Sequence, residues 1–398
     1  MALALVLFWL SAALLAWVYA LYPLVALTVG RLRPVQLAGP VRLAPAQGSQ
    51  GWPALVSVGI AVHDGDTQIA DRVENVFAQA TPFALEVIVA SDGSRDRTVA
   101  LAQQLAGADP RVRVLDLPRG GQSAAQSAIF EAARGEIVVL TDLDTRYEPG
   151  ALEHLVAPFG DDRVGCTTGV LRWHYDRRTP TAYHEGTYWR YEQRVRAWES
   201  RSGWLAAATG ALLACRRALF RPIPAHASLD QMLPLIAREV GLYVMARPQA
   251  IGMDQGTFGL ADQFRSRTRI ATQGIEANLR MATRITPWKR PGTALAIWSH
   301  KLLRWATPFL AALLVATGVA LGLFGAGEPV AYFVPLAACA VVLIVAAVGY
   351  AGRRLGRPLP LTGLALTIVA INAAFALGWL NVLLRRRIGA WEPAPHPE

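Results

Sequence analysis

Four stretches without a single charged side chain limit what this chain can fold into. They are residues 2–29, 305–327, 329–351 and 358–384. Each is longer than the roughly 20 apolar residues that cross a hydrocarbon layer, and within such a layer a helix satisfies its own backbone. Charge is gathered between them: residues 31–292 hold 31 of the 39 Lys+Arg and 26 of the 29 Asp+Glu. The chain therefore reads as a folded domain of about 260 residues set between membrane segments, a size that builds its own core. A charged fraction of 17% and a hydrophobic fraction of 53% exclude a disordered or fibrous protein. The three cysteines (Cys166, Cys215, Cys339) are odd in number and widely separated, and they read as reduced packing residues rather than staples.

The net charge of +10 divides into +5 for residues 31–292 and +5 for the rest. Nucleic acid is not the expected partner, because the basic patch interleaved with aromatics is missing. Arginines next to apolar runs point instead to membrane lipids. Residues 2–29 lack a basic start and exceed the ~7–15 apolar residues of a secretory signal, so they read as an uncleaved anchor. Arg31 and Arg33 then place the large domain on the cytoplasmic face of the cell (inner) membrane. The expected organisation is an anchor at 1–30, a domain at 52–292, an interfacial helix at 293–304, a membrane region at 305–385 and a basic, Pro-rich tail at 386–398. The interfacial segment mixes Trp298, Leu302 and Leu303 with His300, Lys301 and Arg304, an amphipathic pattern. Three C-terminal spans would export Arg385, Arg386 and Arg387, in conflict with the positive-inside tendency.

Within the domain, strand-like and helix-like patterns alternate. Leu55–Val62 is a β-branched apolar run, followed by a helical pattern through Ile69, Val73, Val76 and Phe77. Leu85–Ala90, Val112–Leu115 and Glu136–Thr141 read as further strands, with helices at Thr98–Leu105 and Gln122–Ala133 between them. This order predicts an α/β fold with a mostly parallel sheet covered on both faces. Ligands bind such sheets at the carboxyl ends of the strands. Two of those ends carry acids: Ser91-Asp92-Gly93-Ser94, and Thr141-Asp142-Leu143-Asp144-Thr145. Two carboxylates one residue apart beyond a buried strand suit a shared hard cation, Mg2+ or Mn2+, whose remaining positions take phosphate oxygens. The bland alternative for an Asp-x-Asp is a solvated turn.

The first strand, the Asp-Gly-Ser turn, the Asp-x-Asp and their spacing resemble the family-two glycosyltransferases of the GT-A fold, a Rossmann-like nucleotide-diphospho-sugar transferase domain. The likeness continues through Tyr188-Trp189-Arg190-Tyr191-Glu192, Glu199-Ser200, Thr209-Gly210-Ala211, Ser228-Leu229-Asp230 and Ser299-His300-Lys301 with Arg304-Trp305, in the order of the membrane-bound bacterial members. It spans roughly residues 52–310.

The resemblance implies an inverting enzyme that moves a sugar from a nucleoside diphosphate, a UDP-sugar being the usual donor, to a polysaccharide or lipid-linked acceptor at the membrane. Asp92 falls on the nucleotide-binding position, although Asp92 and Ser94 also precede a helix they can cap. Asp142 and Asp144 fall on the metal pair, with Asp142 also near the donor. Asp230 falls on the catalytic base; the competing reading is a helix N-terminal aspartate favoured by the dipole. Arg265 and Arg267, in an arginine run, are expected to clamp the diphosphate or to meet lipid headgroups. Tyr188, Trp189, Trp204 and Gly210 are the candidates for the acceptor platform, with packing as the alternative. Four positions depart from the pattern. His63-Asp64 follow the first strand where Asn and Glu are frequent, with both expected near the donor base. Gln122 stands for a frequent Lys, Ser127 for Asn, and Leu229 for an acid before the base. These departures motivate a second reading, a catalytically degenerate scaffold in a glycan assembly or export complex. The Gln-x-x-Arg-Trp run of processive synthases is absent, since Gln263 is followed by Phe264-Arg265-Ser266-Arg267.

Overall fold

The computed structural model describes residues 1–37, 51–173, 180–224, 227–254, 260–324, 330–355, 359 and 362–386. The elements in chain order are α1 (Ala2–Ala16), α2 (Tyr22–Leu32), β1 (Leu55–Val62), α3 (Ile69–Phe77), β2 (Ala84–Asp92), α4 (Thr98–Ala108) and β3 (Val112–Leu117). They continue as α5 (Gln122–Ala132), β4 (Ile137–Thr141), β5 (Arg146–Tyr147), α6 (Ala151–Val156), β6 (Val164–Trp173), α7 (Pro180–Ser202), β7 (Leu213–Arg216), α8 (Leu229–Val240) and β8 (Tyr243–Asp254). The chain then passes through α9 (Leu260–Ala282), α10 (Pro291–Ala296), α11 (Leu303–Trp305), α12 (Thr307–Phe324), α13 (Val330–Arg354) and α14 (Thr362–Leu383).

Among the described residues the strands form one sheet in the order β3-β2-β1-β4-β7-β6-β8-β5. Its first half is parallel throughout, as the alternation of strands and helices predicts. The second half is mixed: β7 runs antiparallel to both β4 and β6, β8 lies parallel to β6, and β5 is antiparallel to β8. That half does not follow from strand–helix alternation, because its strands do not return through short helical crossovers.

Alternate residues of each strand feed opposite cores. Val56, Val58, Ile60 and Val62 of β1 pack with Ile69, Val73 and Val76 of α3 and with Leu152 and Leu155 of α6. Ala61 of β1 and Ile88 and Ala90 of β2 pack on the other face with Ala125 and Ile129 of α5 and with Leu229, Leu233 and Ala237 of α8. A strand buried on both sides has no polar face, which is why these runs read as continuously apolar. The crossing of α5 over β1 needs Gly59: a Cβ there would meet Ile129 Cγ2 at 2.3 Å.

Among the described residues four helices are long and apolar enough to cross a membrane: Ala2–Leu32, Thr307–Phe324, Tyr332–Arg354 and Thr362–Leu383. The first joins α1 and α2 through a π-helical turn at Trp17–Leu21. Phe8 of α1 lies against Gly318 of α12. Gly378 of α14 lies against Ala271 of α9, and Asn381 Nδ2 donates to Thr272 Oγ1 at 3.3 Å. The expected tail at 386–398 falls, beyond Arg386, outside the described residues.

Residues 293–304 differ from the expected interfacial helix in the direction their polar groups face. The segment runs from α10 through a second π-helical turn, Ile297–Leu302, into α11. His300 and Arg304 are 3% and 4% exposed, whereas Trp298 is 52% exposed. Polar side chains turn inward here because two buried carboxylates on α7, Glu192 and Glu199, lie opposite them.

The contact under α5 gives a direct check on this packing. Gly59→Ala is expected to destabilise the domain by about 1–3 kcal/mol through overpacking. Combining it with Ile129→Ala, which clears the space, should recover part of the lost melting temperature, as measured by thermal unfolding.

Candidate active site

Beyond β4 the chain alternates: Leu143 and Thr145 are buried, whereas Asp142 is half-buried and Asp144 exposed. Leu143 belongs to the core under α3, so the two acids share the outward face. Arg72, fully buried on α3, fixes this segment. Its Nε donates to the Asp142 carbonyl at 3.2 Å, its Nη2 donates to Thr141 Oγ1 at 2.6 Å, and its guanidinium stacks 4.2 Å from the Tyr147 ring centroid. Gln122 at the start of α5 donates Nε2 to Asp142 Oδ1 at 3.2 Å.

Burial pushes the Asp142 carboxyl up to about 7, and the charges of Asp144, Asp254 and Asp230 push it further in the same direction. Arg269 acts in the opposite sense. These five residues come from the segment after β4 and from β8, α8 and α9, and the charges of the other four reach Asp142. Asp254 ends β8 beside Trp173, the last residue of β6. Asp230 lies in the first turn of α8, and Ser228 donates its hydroxyl to Asp230 Oδ1. Gly210 lies against it: a Cβ at Gly210 would stand 3.3 Å from Asp230 Oδ2. Gly210 and Asp230, both expected on the acceptor side, are therefore in contact. Leu229, the departure next to the base, is fully buried in the core under α8, so packing accounts for an apolar side chain there.

The remaining expected donor residues sit around the turn after β2. Asp92 is 2% exposed. Its carboxylate accepts from the amides of Gly120 and Gly121 at 2.6 and 2.9 Å and from Arg119 Nη1 at 2.9 Å. Asp92 thus holds the loop between β3 and α5, which carries Gln122 at its end. Gly93, at φ +64°, admits this loop, since a Cβ would meet the Arg119 amide nitrogen at 2.8 Å. His63 places Nδ1 2.9 Å from the Asp92 carbonyl and Nε2 3.3 Å from Asp64 Oδ2. Asp64 is in the left-handed region (φ 50°) and accepts the Arg95 amide at 2.7 Å, tying the end of β1 to the turn after β2.

Arg265 and Arg267, expected to clamp the diphosphate or meet lipid headgroups, lie on α9. The segment is helical, so Arg265 and Arg269, four residues apart, share one face and Arg267 lies off it. The charge of Arg269 reaches Asp142. Of the aromatic candidates, Trp189 donates Nε1 to the Leu171 carbonyl at 3.2 Å near the end of β6. Trp204 packs instead with Tyr22, Ala26, Val195 and Ala296, and its indole covers Gly292. That is the junction of α2, α7 and α10, away from the acids. The side chain of Tyr188 lies outside the described residues. Arg72, Asp254 and Arg269 were not picked out from the sequence. Arg72 and Asp254 are far from any motif, and only the fold brings them to the acids.

Among the described residues no three His, Cys, Asp or Glu form a closed cage for a metal ion. The donor set fits a different arrangement. Two carboxylates leave most of the octahedral positions of Mg2+ or Mn2+ for ligand oxygens and water, and burial first, then neighbouring acids, raise the Asp142 carboxyl in excess of what Arg269 offsets.

That excess has a stability signature. Because the folded carboxyl binds its proton more tightly than an unfolded one, Asp142 contributes stability that is present below about pH 4 and lost as pH rises through about 7. In chelator-treated protein, Asp142→Asn is expected to raise the melting temperature at pH 8 by more than at pH 5. Equal shifts at the two pH values would contradict the crowding of acids described here.

Residues 57–223 match the family model described as Glycosyl transferase family 2. An N-acetylglucosaminyltransferase from Rhizobium sp. (strain N33) is 26% identical over 301 residues, covering 71% of this chain and 66% of that protein. A chondroitin synthase from Pasteurella multocida (strain Pm70) is 34% identical over 110 residues, 28% of this chain. This chain thus spans about a tenth (11%) of that synthase and just under two thirds of the Rhizobium protein. A mannosyltransferase from Pyrobaculum calidifontis, solved in complex with GDP-Man and Mn2+, superposes with a TM-score of 0.68 at 19% identity, covering 96% of this chain and 99% of its own. The similarity in fold thus extends over the apolar helices as well as the sheet. Strand order and the solved likeness agree on a GT-A type fold in which residues 57–223 match the Glycosyl transferase family 2 model, joined, among the described residues, to one N-terminal and three C-terminal helices of membrane-spanning length.

Proposed function

We propose that the protein is an inverting, metal-dependent glycosyltransferase. It takes a sugar from a nucleoside diphosphate donor and passes it to a polysaccharide or lipid-linked acceptor at the cytoplasmic face of the cell membrane. The observation that carries this reading is the pair Asp142 and Asp144 just beyond β4, with Asp230 set against Gly210 and within electrostatic reach of Asp142. Similar proteins agree with it in kind: one is an N-acetylglucosaminyltransferase and one is a mannosyltransferase solved with GDP-Man and Mn2+.

Asp142 and Asp144 would hold Mg2+ or Mn2+. The ion, when bound, supplies Lewis-acid neutralisation of the charge growing on the departing diphosphate. Arg72 fixes the backbone that presents the acids, and Gln122 orients the Asp142 carboxylate. Arg269 adds a fixed positive charge to the same site, with Arg265 one helical turn away. Asp92 holds the loop at 119–121 that forms the wall beside Gln122, and His63 and Asp64 hold the neighbouring turn. Asp230 takes the proton of the acceptor hydroxyl as that oxygen bonds to the anomeric carbon and the carbon–oxygen bond to the diphosphate breaks. A side chain at Gly210 would crowd this carboxylate, so glycine leaves room for the acceptor oxygen. Trp189 is the aromatic placed to support an acceptor sugar; Trp204 has a packing role.

The test uses full-length protein in lipid nanodiscs with a panel of UDP-glucose, UDP-N-acetylglucosamine and GDP-mannose. At least one donor is expected to be hydrolysed or transferred with Mn2+ or Mg2+, and a chelator should abolish that turnover. Asp230→Asn should cut transfer about 10²–10⁴-fold while the thermal shift given by Mn2+ plus nucleotide persists. An Asp142→Asn, Asp144→Asn double variant with full turnover defeats the proposal.

A further inference from the structure

The buried ions on α7 have no part in the mechanism above, yet they lead to it. Glu192, Arg196 and Glu199 lie at helical spacing on one stripe of α7. Glu199 accepts from the Tyr22 hydroxyl at 2.5 Å and faces His300 Nδ1 at 2.7 Å. The other ring nitrogen of His300 faces Glu192 Oε2 at 2.9 Å, and Arg304 donates to the same oxygen at 2.5 Å. Glu192 Oε1 accepts from Lys301 at 3.2 Å and from Arg196 Nε at 2.9 Å. Arg196 Nη1 then donates to Thr209 Oγ1 at 3.1 Å. Thr209 immediately precedes Gly210, and its amide is held by Thr168 Oγ1 of β6 at 2.9 Å.

This is an unbroken line of charge-assisted hydrogen bonds from the N-terminal membrane helix to the residue that touches Asp230. Its membrane end is built with unusual backbone. The π-helical turns Trp17–Leu21 and Ile297–Leu302 face each other, joined by Trp17 Nε1 donating to Ser299 Oγ at 2.9 Å. Turns of this kind are rare inside α-helices and concentrate at functional sites. Here they sit beside Tyr22 and His300, the two residues that meet Glu199. A purely structural ion cluster would end on α7; this one continues through Arg196 into the loop on which Gly210 lies.

We propose that Glu192 is a positioning residue for Asp230: through Arg196 and Thr209 it fixes the backbone at Gly210, and through His300 it ties that backbone to the N-terminal membrane helix. The inference deepens the proposed function and rests on Asp230 as the base. Buried charge pairs of this type are rigid, since loosening any member leaves an uncompensated ion, so the setting of Gly210 against Asp230 follows the packing of the membrane helix on α7.

The test compares Thr209→Val, Thr209→Ser and Glu192→Gln in full-length protein in nanodiscs. Thr209→Val removes only the acceptor for Arg196 and keeps the shape, so it serves even if Glu192→Gln fails to fold. Amide exchange of residues 207–212 should quicken in Thr209→Val about two- to thirtyfold, the span of coupling through such networks, while β1, β2 and β4 stay unchanged. With Mn2+ and whichever of UDP-glucose, UDP-N-acetylglucosamine or GDP-mannose turns over, kcat should fall by a similar factor with the donor KM within twofold. Thr209→Ser should restore both. Folded Glu192→Gln should add nothing further when combined with Thr209→Val. Unchanged exchange at 207–212 in Thr209→Val, or an equal loss in Thr209→Ser, overturns the positioning role. Full transfer by Asp230→Asn would instead overturn the assignment of the base, and the exchange measurement still decides whether Glu192 sets the loop.

Discussion

Carboxylates brought together at the edge of a sheet repel one another, and the protein spends much of its local structure holding them there. The Asp142 carboxyl is pushed up to about 7 by its own burial and by three other acids. Nothing about β4 alone requires this. The position is imposed from below by Arg72, which occupies the core with its guanidinium against Tyr147 and bonds to the backbone at Asp142 and Thr141. Burial lowers the pKa of Arg72, a further sign that the brace costs free energy to keep. Sites built for chemistry commonly retain such costs, because replacing the acids would relieve repulsion and remove function together.

The α7 cluster shows the opposite balance. Burial raises the Glu192 carboxyl, but His300, Lys301, Arg304 and Arg196 outweigh it and hold Glu192 well below the usual carboxylate range. The same two physical effects, desolvation and neighbouring charge, thus give an acid site in need of a cation and an ion cluster already saturated with them. His300 sits between the two carboxylates, with Nδ1 2.7 Å from Glu199 Oε1 and Nε2 2.9 Å from Glu192 Oε2.

Half of this was legible in the sequence. The first four strands and the helices between them follow from short β-branched runs alternating with helical periodicity, and β1 is found at Leu55–Val62 as read. The acids at 142, 144 and 230 were also legible, since their spacing resembles a family pattern. Other features depend on contacts that no local pattern encodes. Asp254 and Arg72 are ordinary residues until β8 and α3 deliver them to β4. Which arginines of the run share a face depends on the helix Leu260–Ala282 that carries them, and spacing in the sequence alone does not show that helix. The segment at 293–304 was legible as amphipathic but not in its direction, because the carboxylates that draw its polar side chains inward lie about a hundred residues earlier.

Helix α9 gives the membrane helices a second connection to the active site. Its first half carries Arg265 and Arg269 on one face, with Arg269 within electrostatic reach of Asp142. Its second half packs on α14, where Gly378 allows the backbones at Ala271 and Thr272 to approach and Asn381 bonds across to Thr272. A rigid helix transmits a displacement at one end to the other. Arg269 is therefore tied through α9 to α14, just as the loop carrying Gly210 is tied through Arg196 and α7 to α2. Two sides of the acid site are thus fastened to helices of membrane-spanning length, one through α9 and one through α7, so these helices bear on the geometry of the site.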